Sequence, residues 1–125
     1  MFAAFAGAAA VILGALLAHT LKTGMPPAAL EVYETAVRYQ FYHVFALLGT
    51  GILSEWFYGS WINRAGTCFI AGIVLFCGSL YLISAMMTTG SPVPVALGIL
   101  TPAGGVGFIL GWVFLSIAIL RGRAS

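Results

Sequence analysis

His19 and His43 are the residues of this 125-residue chain best suited to chemistry near neutral pH, and both sit in strongly apolar surroundings. Imidazole titrates near neutrality, relays protons and ligates metals through either ring nitrogen. His43 lies in the stretch "ETAVRYQFYHVFALL", which sets Glu34, Arg38, Tyr39 and Gln40 within a few helical turns of it. At roughly 100° per residue, Glu31, Glu34, Thr35, Arg38, Tyr39, Tyr42 and His43 share about half of a helix circumference. Glu34 with Arg38, and Tyr39 with His43, are i, i+4 neighbours. His19 closes the preceding apolar run, just before Lys22.

A histidine pair supplied by two helices could relay protons or ions, or ligate haem iron or another metal. Two histidines with distant carboxylates make a poor metal signature, and a glycine-rich bundle leaves little room for a macrocycle, so no metal or cofactor is assigned. Ser54, Ser79, Ser84 and Ser116 lack an evident His-acid partner, and no nucleophile motif is present. There is no phosphate loop, dinucleotide fingerprint or nucleic-acid patch. The chain reads as a non-enzyme. The simplest account of the polar cluster is an internal network that fixes helix register while Arg38 reaches for the interface.

The elements that must position these residues follow from composition. Hydrophobic residues make up 62% of the chain and charged residues 6%, with a mean hydropathy of +1.08. A soluble core of this size cannot bury that much apolar surface, whereas bilayer hydrocarbon can accept it. Four runs approach the ~20 residues that cross hydrocarbon as a helix: residues 2–21, 39–57, 65–87 and 102–120. An all-α membrane protein is expected, one domain over residues 1–125, with four transmembrane helices in an up-down bundle. Lys22 to Tyr39 reads as a short amphipathic helix before span two. Thr88 to Leu100, uncharged and proline-rich, reads as an interfacial or re-entrant segment before span four. Thr101 and Pro102 suit the cap and first turn of that last helix.

Helix one ends where helix two begins, so His19 and His43 are expected at similar depth, with the polar face of span two turned inward. Ser79 and Tyr81 on span three, and Thr101, are further polar candidates. Small residues let helices approach in lipid. Gly7 and Gly14 lie in such a stripe on span one, Gly66, Gly72 and Gly78 on span three, and Gly104, Gly107 and Gly111 on span four. Cys68 and Cys77 are too far apart for a disulfide and read as small core residues. The first run lacks the basic start of a signal peptide and is expected to be retained. With both termini on one side, that side holds Arg64, Arg121 and Arg123 against Lys22 and Arg38, which places the termini in the cytoplasm.

Three function classes fit: an accessory or assembly component of a membrane complex, an oligomeric transporter or channel for protons, ions or a small solute, and a redox protein using the histidine pair. The expected partners are membrane lipids and a homo-oligomer or larger membrane complex, with no nucleic acid. The blocks "GALLAHTLK", "YETAVRYQFYHVFALL", "GIVLFCGSLYL" and "GILTPAGGVGFILGW" together resemble the YgdD-like family of small multi-spanning membrane proteins. In that family's pattern His19, Lys22, Tyr39, Gln40, His43, Gly78, Ser79, Tyr81, Thr101, Pro102, Gly104, Gly105, Gly111 and Trp112 fill the motif positions. The resemblance implies a four-helix bacterial inner-membrane protein, or a mitochondrial relative, and brings no established activity.

Overall fold

Hydrocarbon offers no hydrogen bonds, so a chain this apolar must satisfy its backbone within each segment, which favours helices. The computed structural model describes residues 1–122, leaving aside the side chains of Thr20 and Leu21, and it is helical almost throughout. α1 spans Phe2–Leu16 and continues through a π-helical turn, Leu17–Leu21, into a 3₁₀ turn, Lys22–Gly24. α2 is Pro27–Leu53, α3 Ser60–Gly72, α4 Gly78–Thr89 and α5 Val95–Leu120. A π-helical turn, Ile73–Cys77, joins α3 to α4 without a break, so these form one rod over Ser60–Thr89. Glycines with positive φ stand at two of its ends: Gly59 (φ 125°) before α3 and Gly90 (φ 73°) after α4. A side chain is strained at such angles.

Two expected boundaries are corrected. The amphipathic segment and span two are a single helix. Pro26 is extended (φ −58°, ψ 148°), Pro27 starts the helix, and nothing from Ala28 to Leu48 breaks it. The segment before span four is likewise no re-entrant piece. Pro94 is extended, α5 starts at Val95, and Pro102 lies inside the helix. Thr101 is therefore not a cap; its hydroxyl donates to the Leu97 carbonyl at 3.2 Å. A proline within a helix forfeits one backbone bond and strains its preceding turn, which neighbouring helices in a membrane bundle make tolerable.

Neighbouring rods run antiparallel. Along α1, Gly7 faces Val44 and Gly14 faces Val37. Gly66 of α3 meets Leu47 and Thr50 of α2, while Tyr81 of α4 bonds Gln40. Along α5, Gly104 abuts the Phe76 backbone, Phe108 covers Gly72, and Gly111 abuts the Phe69 ring. The core gathers where α2, α3 and α5 meet, around Phe69, Cys77, Phe108 and Leu115. Cys68 and Cys77 are free thiols on the continuous rod.

Among the described residues three helices are long and apolar enough to cross a membrane: Phe2–His19, Ser60–Thr89 and Val95–Leu120. α2 is equally long, at 27 residues, but carries Glu31, Glu34 and Arg38.

Candidate functional site

α2 holds most of the buried polar groups. Tyr33, Gln40 and His43 lie on its buried face beside Ala29 and Ala36, and each reaches a different neighbour. The Tyr33 hydroxyl donates to the Leu13 carbonyl of α1 at 2.8 Å. The Gln40 amide donates to the Ala6 carbonyl at 2.7 Å, and its oxygen accepts from the Tyr81 hydroxyl of α4 at 2.6 Å. Gln40 thus ties three helices with one side chain. Ser84 of α4 donates to the Ala29 carbonyl at 2.9 Å. Ser79 and Thr101 pair their hydroxyls at 2.6 Å and link α4 to α5. Among the described residues every buried side-chain nitrogen or oxygen has a partner.

His43 is fixed from every side. Its Nδ1 lies 2.8 Å from the Tyr39 carbonyl, which only accepts, so Nδ1 carries the proton. The Trp112 indole N–H points at Nε2 over 3.4 Å. An indole only donates, so this long contact is a hydrogen bond only with Nε2 as acceptor and the ring neutral. Its face stacks on Phe108 at 3.5 Å between centroids and 9° between planes, and Phe69 and Trp112 flank it. A proton relay needs a nitrogen free to gain or pass a proton, but here protonation of Nε2 would break the indole bond. The arrangement clamps α2 to α5. Among the described residues no three His, Cys, Asp or Glu side chains converge as a metal site would require.

The structure brings Tyr39, Gln40, His43 and Tyr81 into one region, pairs Ser79 with Thr101 between α4 and α5, and leaves His19, Lys22, Glu34 and Arg38 exposed. His19 and Lys22 are exposed at the far end of α1. Gln40 bonds Ala6 and Tyr33 bonds Leu13, so His43 is level with the first turns of α1. At about 1.5 Å per residue, His19 lies on the order of 20 Å farther along. The expected common depth fails because α2 becomes helical at Pro27 and carries His43 far from the α1–α2 corner. The expected inward polar face is also split. Glu31, Glu34 and Arg38 point outward. Arg38 falls between the Gln40–Ala6 and Tyr33–Leu13 bonds, near the middle of the apolar span Phe2–His19.

Sequence pattern alone does not mark Tyr33, Ser84, Phe108 or the indole of Trp112 as partners in this network. Tyr33 had a partial signal, since it sits two turns from Gln40 on the same face. The pairing of Trp112 with His43 had none, because it depends on how α5 packs.

Residues 13–105 match the family model described as "Protein of unknown function (DUF423)". The chain is 38% identical over 113 residues to UPF0382 membrane protein YwdK of Bacillus subtilis, covering 90% of this chain and 87% of that protein. It is 40% identical over 112 residues to UPF0382 membrane protein SAB0533 of Staphylococcus aureus, covering 90% and 86%. UPF0382 inner membrane protein YgdD of Escherichia coli K12 is 34% identical over 126 residues, covering 97% and 88%. No solved structure matches.

Proposed function

The chain belongs to the DUF423 family of membrane proteins, and from that premise we propose a four-span inner-membrane protein, not an enzyme, that serves as an accessory or assembly component of a larger membrane complex. The observation that carries this reading is the state of the interior cluster. Its polar groups are spent on holding helices together, as the doubly bonded His43 and the doubly bonded Gln40 exemplify. What remains for function is the outer surface. α2 crosses with the other rods in this reading: at about 1.5 Å per residue its 27 residues exceed the ~30 Å of hydrocarbon, and spanning rods flank it on two sides. Glu34 and Arg38 then sit at hydrocarbon depth on an outward face. Arginine near the centre of a membrane helix costs about 2.5–3.5 kcal/mol on insertion scales, which favours a protein neighbour over lipid there.

Extraction of native membranes in mild detergent, followed by affinity purification of the tagged full-length chain, should recover a defined set of other membrane proteins in fixed stoichiometry. Recovery of this chain with no other protein would remove the accessory role.

Both termini face the cytoplasm in this proposal. Met1 and the end of α5 lie at the same end of the bundle, where Arg64 and Arg121 rest on the Trp61 ring at 4.8 Å and 5.1 Å. Arg123 lies outside the described residues. Lys22 lies at the opposite end. The excess of arginine marks the cytoplasmic side, and a tryptophan at the membrane boundary suits stacked cations. A C-terminal reporter that works only in the cytoplasm should be active; activity of a periplasm-specific reporter at that position would invert the orientation.

A further inference from the structure

The outward face of α2 carries three charged residues, Glu31, Glu34 and Arg38, that a lipid-facing surface does not need. Glu31, Glu34, Arg38, Phe41, Phe45, Leu48 and Ile52 are spaced alternately by three and four positions along the helix. That is the a/d spacing of a coiled-coil seam, which keeps one narrow stripe against one partner helix. Phe45, Leu48 and Ile52 are 64%, 43% and 59% exposed, and Phe41 stacks along the seam on Phe45 at 6.2 Å. Within the chain α2 packs on α1, α3, α4 and the π-helical turn between α3 and α4. Leu48 and Ile52 border the first residues of α1 in an open groove, and the outward side of the seam is uncovered. The outer faces of α1 and α5 differ. They present Phe5, Val11, Ile12, Val106 and Ile109, which lipid covers without cost.

We propose that the outer seam of α2 docks a second copy of this chain, the two α2 helices running parallel, with Arg38 of each copy reaching Glu34 of the other. The charges choose this occupant. Copies inserted in the same orientation and related by a twofold axis along the membrane normal present the same seam to each other, as a closed dimer requires. In a parallel pair, like layers face like, so an Arg38 layer lies one step from a Glu34 layer of opposite sign. Helix side chains lean toward the N-terminus of their own helix, which tilts Arg38 toward that Glu34 layer. Each layer sets like charges opposite each other, and the one-step offset brings the two Arg38 side chains beside the two Glu34 side chains, so that the four form a neutral cluster in which the twofold axis makes the ion pair twice. Below the charges, Phe41, Phe45, Leu48 and Ile52 supply apolar layers toward the end of α2.

This inference rests on the reading above, that the bundle acts through its outer surface, and names the partner of one face. The test is oxidative cross-linking of the full-length chain in membranes, with the wild type as control for Cys68 and Cys77. Phe45→Cys, Leu48→Cys and Ile52→Cys should each give a disulfide-linked product of twice the 13.1 kDa chain mass. Leu47→Cys, which faces α3, and Val106→Cys on α5 should give at least about tenfold less. Adding Arg38→Glu to Leu48→Cys should cut the product about tenfold, and the charge swap Glu34→Arg with Arg38→Glu should restore it, which separates lost pairing from lost folding. Equal cross-linking at Leu48 and Val106, no recovery in the charge swap, or a Leu48→Cys product with a different protein would each overturn the proposal. A dimer that co-purifies with nothing else would sink the accessory role and keep the dimer. A stable complex containing single copies would do the reverse.

Discussion

Gly104→Ala should destabilise the bundle by about 3 kcal/mol, at the upper end of what overpacking costs. A Cβ at this position would run into the backbone nitrogen and Cα of Phe76, inside the π-helical turn that joins α3 to α4. Backbone cannot rotate out of the way as a side chain can. The only relief is to push α5 away from the α3–α4 rod, which also loosens the Ser79–Thr101 pair and the stack of Phe108 on His43. Gly111→Ala should cost less, because its Cβ would meet the Phe69 ring at 2.6 Å and a ring can tilt. Gly107→Ala should be mild, with its nearest atoms at 3.4–3.5 Å. Gly78→Ala is the control. Gly78, expected from the sequence at a close helix contact, has nothing within 4 Å of a built Cβ, so alanine there should be neutral or gain roughly 0.5–1 kcal/mol of helix propensity. Thermal unfolding in detergent ranks the four variants. Equal midpoints for Gly104→Ala and Gly78→Ala would mean that α5 does not seat on Phe76 as described.

His43→Ala should cost a similar amount, about 3 kcal/mol, because it removes a large buried side chain from the junction of α2, α3 and α5. The loss combines the stack on Phe108, the edge contact with Trp112 and the indole bond. Substitutions separate these parts. His43→Gln keeps some hydrogen bonding and more volume, so it should cost about half as much as alanine. His43→Phe keeps the stack and leaves the Trp112 N–H without its acceptor, a loss of about 1–2 kcal/mol. Trp112→Phe removes the donor from the other side. If the indole bond is the link, the double variant His43→Phe with Trp112→Phe should cost less than the sum of the two single changes, since the bond is lost only once. Unfolding midpoints in detergent measure all five variants. A His43→Ala variant no less stable than His43→Gln would contradict the clamp.

What the sequence determined on its own is the class and the material. Continuous apolar runs of about 20 residues with few charges read as helices in lipid, because a helix pairs each backbone N–H and C=O within its own segment, whereas barrel strands are shorter and alternate. The small residues of α5 that seat on the rod, Gly104 and Gly111, were legible for the same reason: without a hydrophobic push between helices, close approach needs missing side chains. The residues Gln40 and His43 stood out because polar groups in such a run are costly to leave unpaired.

Depth and direction were decided only by tertiary structure. Hydropathy records how apolar a segment is and not where its helix starts, so a start at Pro27, rather than twelve or so residues later, moved His43 far from His19. Nor does residue type fix which way a side chain turns on a helix that is polar over half its circumference. Packing against α1 and α4 drew Tyr33 and Gln40 inward, because uncharged groups can be satisfied by one or two bonds to backbone carbonyls and a tyrosine. Glu34 and Arg38 were left outside, since burying a charge inside the bundle demands a full set of partners that the neighbouring carbonyls and apolar faces do not offer. The acceptor for the Trp112 indole was fixed last of all, by the antiparallel register that Gly104 and Gly111 permit between α5 and the rod.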